Sequence, residues 1–387
     1  MKRINFSERI IKIALLAPYN VYPANTGGKK FVSFFYEYLV KLLPVDFISV
    51  KQNDVPAQME ASFHKILGQS KLRYANPLLF FKIKKLIKEE NITDLIIVHP
   101  YYGWLAWLLK KGTGIHLSLL SHNIESVRFK SMGKWWWRVL WQYEKNTHKI
   151  IDNNFFVTEE DRLFAIKNYQ LNPGKCHVIT YGIEWQQIPS VEQKQNAAAE
   201  LRRQYNIPAY EKILLFNGSL DYFPNIEAIN YILENINPWL LQKDNYKYKI
   251  IICGKGLPAV FEELKRFADK NIIYAGYVAD INLFFKGADI FLNPVITGGG
   301  IKTKLVEALG NSLTSVSSET GAFGIPKQIV ENKLLVANDY DWETFCRLII
   351  TADINIQTEA SFFNHFYWGN IAAKAADILT GNLSIKK

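Results

Sequence analysis

The stretch Ile290 to Gly324 reads IFLNPVITGGGIKTKLVEALGNSLTSVSSETGAFG, and it decides what kind of chain this is. A short apolar run, Ile290 to Leu292, stops at Asn293-Pro294 and passes through Gly298-Gly299-Gly300 into a segment of helical spacing. That order reads as a parallel strand, a glycine turn and a helix N-terminus. Such a junction binds anions. Glycine lets the backbone approach a ligand, and the first N–H groups of the helix, from Ile301 on, point outward ahead of the positive end of the macrodipole. Lys302 and Lys304 sharpen the reading, because cations in a first helical turn oppose the dipole unless something negative lies between them. The expected anion is a phosphate. Glu307 follows one turn later, where its carboxylate can accept hydrogen bonds from the vicinal hydroxyls of a ribose. Each of these residues alone also fits a surface turn with solvated lysines; in this order they favour a nucleotide site.

At 387 residues the chain is too long for one ordinary core and fits two domains of about 150 to 200 residues. Its composition is globular, 49% hydrophobic and 21% charged, without a low-complexity tract. The net charge of +10 and 14% aromatic content point to anionic partners: phosphates, nucleic acid or acidic lipid. Cys176, Cys253 and Cys346 are far apart, so neither a zinc site nor a disulfide framework is indicated, and a cytoplasmic location is the default. In the N-terminal MKRINFSERIIKIALLAP, Glu8 and Arg9 interrupt the apolar run, which argues against a signal peptide. The run from Leu95 to Leu109 is broken by Pro100 and is shorter than the roughly 20 residues that span a bilayer.

Short β-rich runs alternate with helical patterns along the chain. Candidate strands in the first half are Ile11 to Leu16, Val45 to Val50, Leu95 to Val98, Leu117 to Ser121, Asn154 to Val157 and His177 to Thr180. After a polar, Ala-rich stretch from Glu192 to Gln204 the alternation restarts at Ile213 to Phe216, Tyr248 to Cys253, Ile272 to Tyr274, Ile290 to Leu292, Thr314 to Val316 and Leu334 to Val336. Two doubly wound parallel sheets follow, with domains expected at 1–188 and 189–361 and a last segment, 362–387, returning to the first. Ligands of such sheets sit outside the carboxyl ends of the strands. Gly27 and Gly28 precede a helix beyond the first strand, His122-Asn123-Ile124-Glu125 ends the fourth, and Gly218-Ser219 ends the first strand of the second half, with Asn225 as expected N-cap. A plain loop and a structural histidine are the bland readings of the first two. Gly254-Lys255-Gly256 is weak alone.

The segments SHNIES, VTEEDR, FNGSLDYFPNIEAI, IICGKGLP, ADIFLNPVITGGGIKTKLVEALG and SSETGAFGI, in this order, resemble family 4 of the retaining glycosyltransferases with the GT-B fold. The resemblance covers essentially the whole chain. It implies two facing Rossmann-like domains, the N-terminal one for acceptor and the C-terminal one for a nucleotide sugar, with the terminal helix crossing back. It further implies hexose transfer from a nucleoside diphosphate sugar to a glycan or lipid-linked acceptor in cell-surface polysaccharide synthesis. By position, Glu307 matches the second glutamate of the family's E-x7-E motif, which holds the ribose. Where many members have the first glutamate this chain has Gly299, as a GGG branch of the family does. Near Pro224-Asn225 many members place a phosphate-binding lysine, a charge that Lys302 and Lys304 supply here. Gly28 and His122 match the glycine loop and cleft histidine of the N-domain. The resulting set is His122, Lys302 and Lys304 for catalysis, and Gly27, Gly28, Gly218, Ser219, Gly298, Gly299, Gly300, Ile301 and Glu307 for the donor.

No metal or cofactor is expected, since lysines and helix-terminal amides can stabilise a leaving diphosphate. Asp339-Tyr340-Asp341 looks like a metal-binding D-x-D, but Asp341 is placed to cap the helix from Trp342. A glycosidase would show a pair of carboxylates at strand ends, and none is evident. Two other classes compete: a nucleotide-sugar epimerase on the same fold, and a nucleic-acid-binding protein, for which no RNA-binding signature or helix-turn-helix is found. Asn76 to Lys88 and Lys134 to Lys149 mix bulky apolar residues with lysine and arginine. They read equally as core helices with basic outer faces or as peripheral contacts with the inner, anionic membrane face.

Overall fold

The computed structural model describes residues 11–382; residues 1–10, on which most of the signal-peptide reading falls, and 383–387 lie outside the described residues. The chain divides into two compact units, Met1–Gly182 with Trp368–Lys387, and Ile183–Tyr367.

Unit 1 is built on a parallel sheet of β1 (Ile13–Leu16), β2 (Val45–Val50), β3 (Phe63–Leu67), β4 (Asp94–Val98), β5 (His116–Ser121), β6 (Asn153–Phe156) and β7 (Cys176–Val178) in the order β3-β2-β1-β4-β5-β6-β7. Unit 2 holds β8 (Lys212–Asn217), β9 (Tyr248–Cys253), β10 (Ile272–Gly276), β11 (Ile290–Asn293), β12 (Thr314–Ser318) and β13 (Leu334–Ala337), also parallel, in the order β10-β9-β8-β11-β12-β13. All twelve strands expected from the sequence are present. The thirteenth, β3 (FHKIL), is an edge strand in which only Phe63 and Leu67 are buried. His64 and Lys65 hide it from a search for apolar runs, and polar residues are what an exposed edge needs.

Central strands such as Ile13–Leu16 and Asp94–Val98 are buried along their whole length, as required of a sheet covered by helices on both faces. The strand order reverses between β1 and β4 in unit 1 and between β8 and β11 in unit 2. There successive crossovers go to opposite faces and a crevice opens at the carboxyl ends.

The Ala-rich stretch is a helix, Val191–Tyr205, begun by a capping box between Ser190 and Gln193. It approaches the Ile281–Gly287 helix so closely that a Cβ on Gly287 would lie 2.7 Å from the Ala197 carbonyl oxygen. The final segment is two helices, Ala360–Phe366 and Trp368–Thr380, broken at Tyr367, whose extended backbone bridges to Ile183. Phe362, Phe366 and Tyr367, at the start of the segment expected to return to the first domain, belong to unit 2. The anchor in unit 1 is Trp368, fully buried with its ring 5.4 Å from Phe31 and 5.8 Å from Tyr181. Among the described residues no helix is long and apolar enough to cross a membrane.

Candidate functional site

In unit 2 the expected residues come together where β8 and β11 diverge. After β8, Gly218 is pressed against Asn225: a Cβ there would lie 2.5 Å from Asn225 Nδ2, which donates to the Ser219 carbonyl at 2.8 Å. The expectation that Asn225 is an N-cap is corrected. The helix Phe223–Tyr231 starts after Tyr222, because Pro224 suits a first turn, and Asn225 ties the preceding loop instead. Gly254, at φ +146°, abuts the Gly218 carbonyl, and Gly256, at φ +81°, abuts Asp221, so Gly254-Lys255-Gly256 serves to lock two turns together. Lys255 accepts from Leu220 N–H through its own carbonyl at 2.8 Å.

After β11 the loop takes φ of +82° at Gly298 and +70° at Gly300, conformations that favour glycine, while Gly299 is exposed. Gly298 packs on Tyr222 and Pro224. Lys302 stands at the N-cap position of the Thr303–Gly310 helix, and its Nζ donates to the carbonyls of Gly298 (3.3 Å) and Gly300 (3.1 Å). Lys304 Nζ pairs with Glu307 Oε2 at 2.8 Å, with Glu307 only 6% exposed. Asp341 caps the Trp342–Thr351 helix through Thr344 N–H at 3.0 Å, and Asp339 accepts from the Thr320 N–H and hydroxyl. Among the described residues no group of three His, Cys, Asp or Glu is placed to hold a metal.

In unit 1, Gly27 and Gly28 open the Gly27–Leu39 helix beside His122, whose Nδ1 is 3.8 Å from where a Gly28 Cβ would be. The His122 ring meets Phe31 edge-on at 4.7 Å and lies 4.5 Å from His99. Burial, reinforced by His99, pushes the His122 imidazole well below its usual range, so it is neutral near pH 7. Among the described residues its Nε2 is buried without a hydrogen-bond partner.

His99 was not anticipated. It ends β4 at φ +65°, ψ +153°, a conformation of the kind that clusters at functional sites. Its Nδ1 lies 3.4 Å from Glu125 Oε1, an ion-pair distance without hydrogen-bond geometry, and the other oxygen of fully buried Glu125, Oε2, accepts from Tyr101 Oη and Arg128 Nη1 at 2.8 Å each. Burial disfavours the Glu125 charge, but His99, Arg128 and Tyr101 outweigh it and hold the carboxyl down at about 2. Glu144 fixes the start of the Glu125–Ser131 helix by accepting from Glu125 N–H (2.8 Å) and Ser126 N–H (2.9 Å), replacing the cap that Ile124 cannot provide. A rule that inspects every strand end would have found His99, since it follows β4 as His122 follows β5.

Residues 27–187 match the family described as Glycosyltransferase Family 4, and residues 211–352 the family described as Glycosyl transferases group 1. A Klebsiella pneumoniae protein described as an uncharacterized 44.6 kDa protein in the cps region is 29% identical over 132 residues, 33% of this chain and 34% of that protein. The chitobiosyldiphosphodolichol beta-mannosyltransferase of Debaryomyces hansenii is 25% identical over 291 residues, 68% of this chain and 60% of that protein. The chain thus spans less than two thirds of either relative. Among solved structures, Anabaena Alr3699/HepE in complex with UDP-glucose superposes with a TM-score of 0.68 at 14% identity over 96% of this chain and 100% of that one.

Two outcomes are expected from this geometry. Glu307→Ala lowers nucleotide affinity tenfold to a hundredfold, since a hydrogen bond to a charged group is worth roughly 1.5 to 3 kcal/mol; calorimetry showing unchanged affinity in a folded variant removes Glu307 from the site. Glu125, held at about 2 against an ordinary 4.5, contributes stability that is fully present above pH 4.5 and lost as pH falls toward 2, on the order of 3 kcal/mol. Glu125→Gln should therefore lower the urea midpoint at pH 7 and flatten its decline through that acid window.

Proposed function

The chain belongs to the glycosyltransferases of family 4 and group 1 type and has the GT-B fold, and from that premise we propose that it transfers a hexose from a nucleoside diphosphate sugar to a glycan or lipid-linked acceptor, with retention of configuration, in cell-surface polysaccharide synthesis. One observation carries the reading. The β8/β11 switch point of unit 2 presents a glycine loop and helix N-terminus with Lys302, Lys304 and Glu307 beside it. A relative described from a cps region, another named for a diphosphodolichol acceptor and a fold neighbour solved with UDP-glucose support the pathway, acceptor class and donor.

In this reading the amides from Gly298 to Ile301, with Lys302 and Lys304, stabilise the leaving diphosphate, Gly218 and Ser219 line its other side, and Glu307 takes the ribose. In unit 1, neutral His122 beside Gly27 and Gly28 serves as a hydrogen-bonding group without charge. Holding the acceptor hydroxyl against the anomeric carbon supplies most of the remaining rate. No metal is needed, because the diphosphate charge is met by fixed cations and amides. The expected result is sugar transfer from a UDP-, GDP- or ADP-sugar to a polyprenyl-diphosphate glycan that persists in EDTA. Activity lost to EDTA and restored by magnesium would overturn the metal-free reading, and conversion of donor without acceptor would favour an epimerase.

The same reading places the protein at the inner face of the membrane. The Leu78–Glu89 helix buries Leu79, Ile83, Leu86 and Ile87 but leaves Leu78 60% and Phe81 65% exposed beside Lys82 and Lys85. Trp135 is 86% and Val139 72% exposed beside Lys134 and Arg138. Apolar anchors flanked by cations suit an anionic lipid interface. The protein should co-sediment with phosphatidylglycerol-containing vesicles at low salt, and Phe81→Ser with Trp135→Ser should reduce that binding; no co-sedimentation of the native protein ends the idea.

A further inference from the structure

Unit 1 contains a cavity of about 730 Å³, the size of a small-molecule site. Gly28 and His122 on its wall already have roles in the proposed transfer; the rest of the wall has none. It is cationic and polar, with Lys29, Arg73 and Arg128 among amide side chains, and no aspartate or glutamate lines it.

The three cations arrive from different elements. Lys29 comes from the first turn of the Gly27–Leu39 helix, Arg73 from the Lys71–Ala75 turn and Arg128 from the Glu125–Ser131 helix. Arg73 is fixed by neutral acceptors: Nε donates to the Pro18 carbonyl at 2.7 Å and Nη1 to the Gln69 carbonyl. Among the described residues neither Arg73 nor Lys29 has a carboxylate partner. Arg128 shares Glu125, which lies fully buried behind the wall. Among the described residues, Lys29, Arg73 and Arg128 gather at this wall with the carboxylate of Glu125 behind it, and the His122 Nε2 is buried there without a hydrogen-bond partner. Cations gathered around a concave, partly desolvated space favour an anion within it.

We propose that this cavity takes the phosphate or diphosphate group of the acceptor, with Lys29 and Arg128 contacting its oxygens and Arg73 adding a fixed positive charge. The proposal rests on the glycosyltransferase reading, in which unit 1 serves the acceptor. A diphosphate beside the acceptor sugar fixes that sugar's position by its strongest charge, and the amides of Asn20, Gln52 and Asn123 are then available to its hydroxyls.

Calorimetry on the full chain tests this with inorganic pyrophosphate and farnesyl diphosphate as probes, each with and without saturating UDP. Both probes should bind whether or not UDP is present. Lys29→Ala and Arg128→Gln should each weaken them about tenfold, the loss of one charge-assisted hydrogen bond, while UDP affinity stays within twofold. Lys29 is half-buried at a helix start without an ion pair, so its variant remains informative even where Arg128→Gln fails to fold. Displacement of the probes by UDP would assign the cavity to the donor diphosphate and overturn the proposal. Absence of binding, or binding that a folded Lys29→Ala leaves unchanged, overturns it equally. Failure of the transferase reading looks different: no nucleotide sugar is turned over, whatever pyrophosphate does.

Discussion

Two backbone torsions, φ of +82° at Gly298 and +70° at Gly300, set the geometry on which the site of unit 2 depends. A Cβ at either position would cost about 1 to 2 kcal/mol, and the turn they make aims the N-terminus of the Thr303–Gly310 helix. Two lysines at such a terminus oppose the helix dipole, and the fold meets that cost locally. Lys302 lies over the carbonyls of Gly298 and Gly300, and Lys304 lies against Glu307. On the proposed assignment, a diphosphate there would compete for the same ammonium groups, offering Lys302 anionic oxygens in place of neutral carbonyls and Lys304 a second anion beside Glu307. The proposed donor contact and the loop geometry would therefore be linked through Lys302.

Unit 1 shows how partners decide the fate of a buried carboxylate. Glu125 and Glu144 are both fully buried. Glu125 meets an imidazole, a guanidinium and a phenol, and is held down at about 2. Glu144 meets two backbone N–H groups, a serine and the Tyr169 hydroxyl, none of them charged, and burial raises it. The division of labour follows. Glu144 is an acceptor that starts a helix, whereas Glu125 is a fixed negative charge that steadies His99 in an unfavourable backbone conformation and Arg128 at the cavity wall.

The sheets and the glycine turn after β11 were legible because they rest on short-range rules: apolar runs of strand length and glycine where φ is positive. Strand β3 was not, because an edge strand needs only one buried face and FHKIL offers two apolar residues for it. The break at Tyr367 was hidden because helical spacing runs through it; a bridge to Ile183, distant in sequence, interrupts the helix. His99 and Arg73 escaped for the same reason. Their significance comes from Glu125, Pro18 and Gln69, which the topology brings to them and which no local pattern announces.

Both sheets reverse strand order beside their first strand, β1 against β4 and β8 against β11, so the two glycine turns occupy equivalent topological places. They differ in what they are made of. At the β8/β11 end the proposed contacts to the donor are largely backbone amides, which demand a phosphate but are indifferent to many changes of side chain. The open position at Gly299 extends that indifference to the hexose. At the β1/β4 end the wall is side chains: two histidines, two arginines, a lysine and several amides. Backbone recognition is hard to alter by substitution, and side-chain recognition is easy. On the proposed assignment the donor class would follow the glycine turn, and the acceptor would follow the residues around Lys29, Arg73 and Arg128.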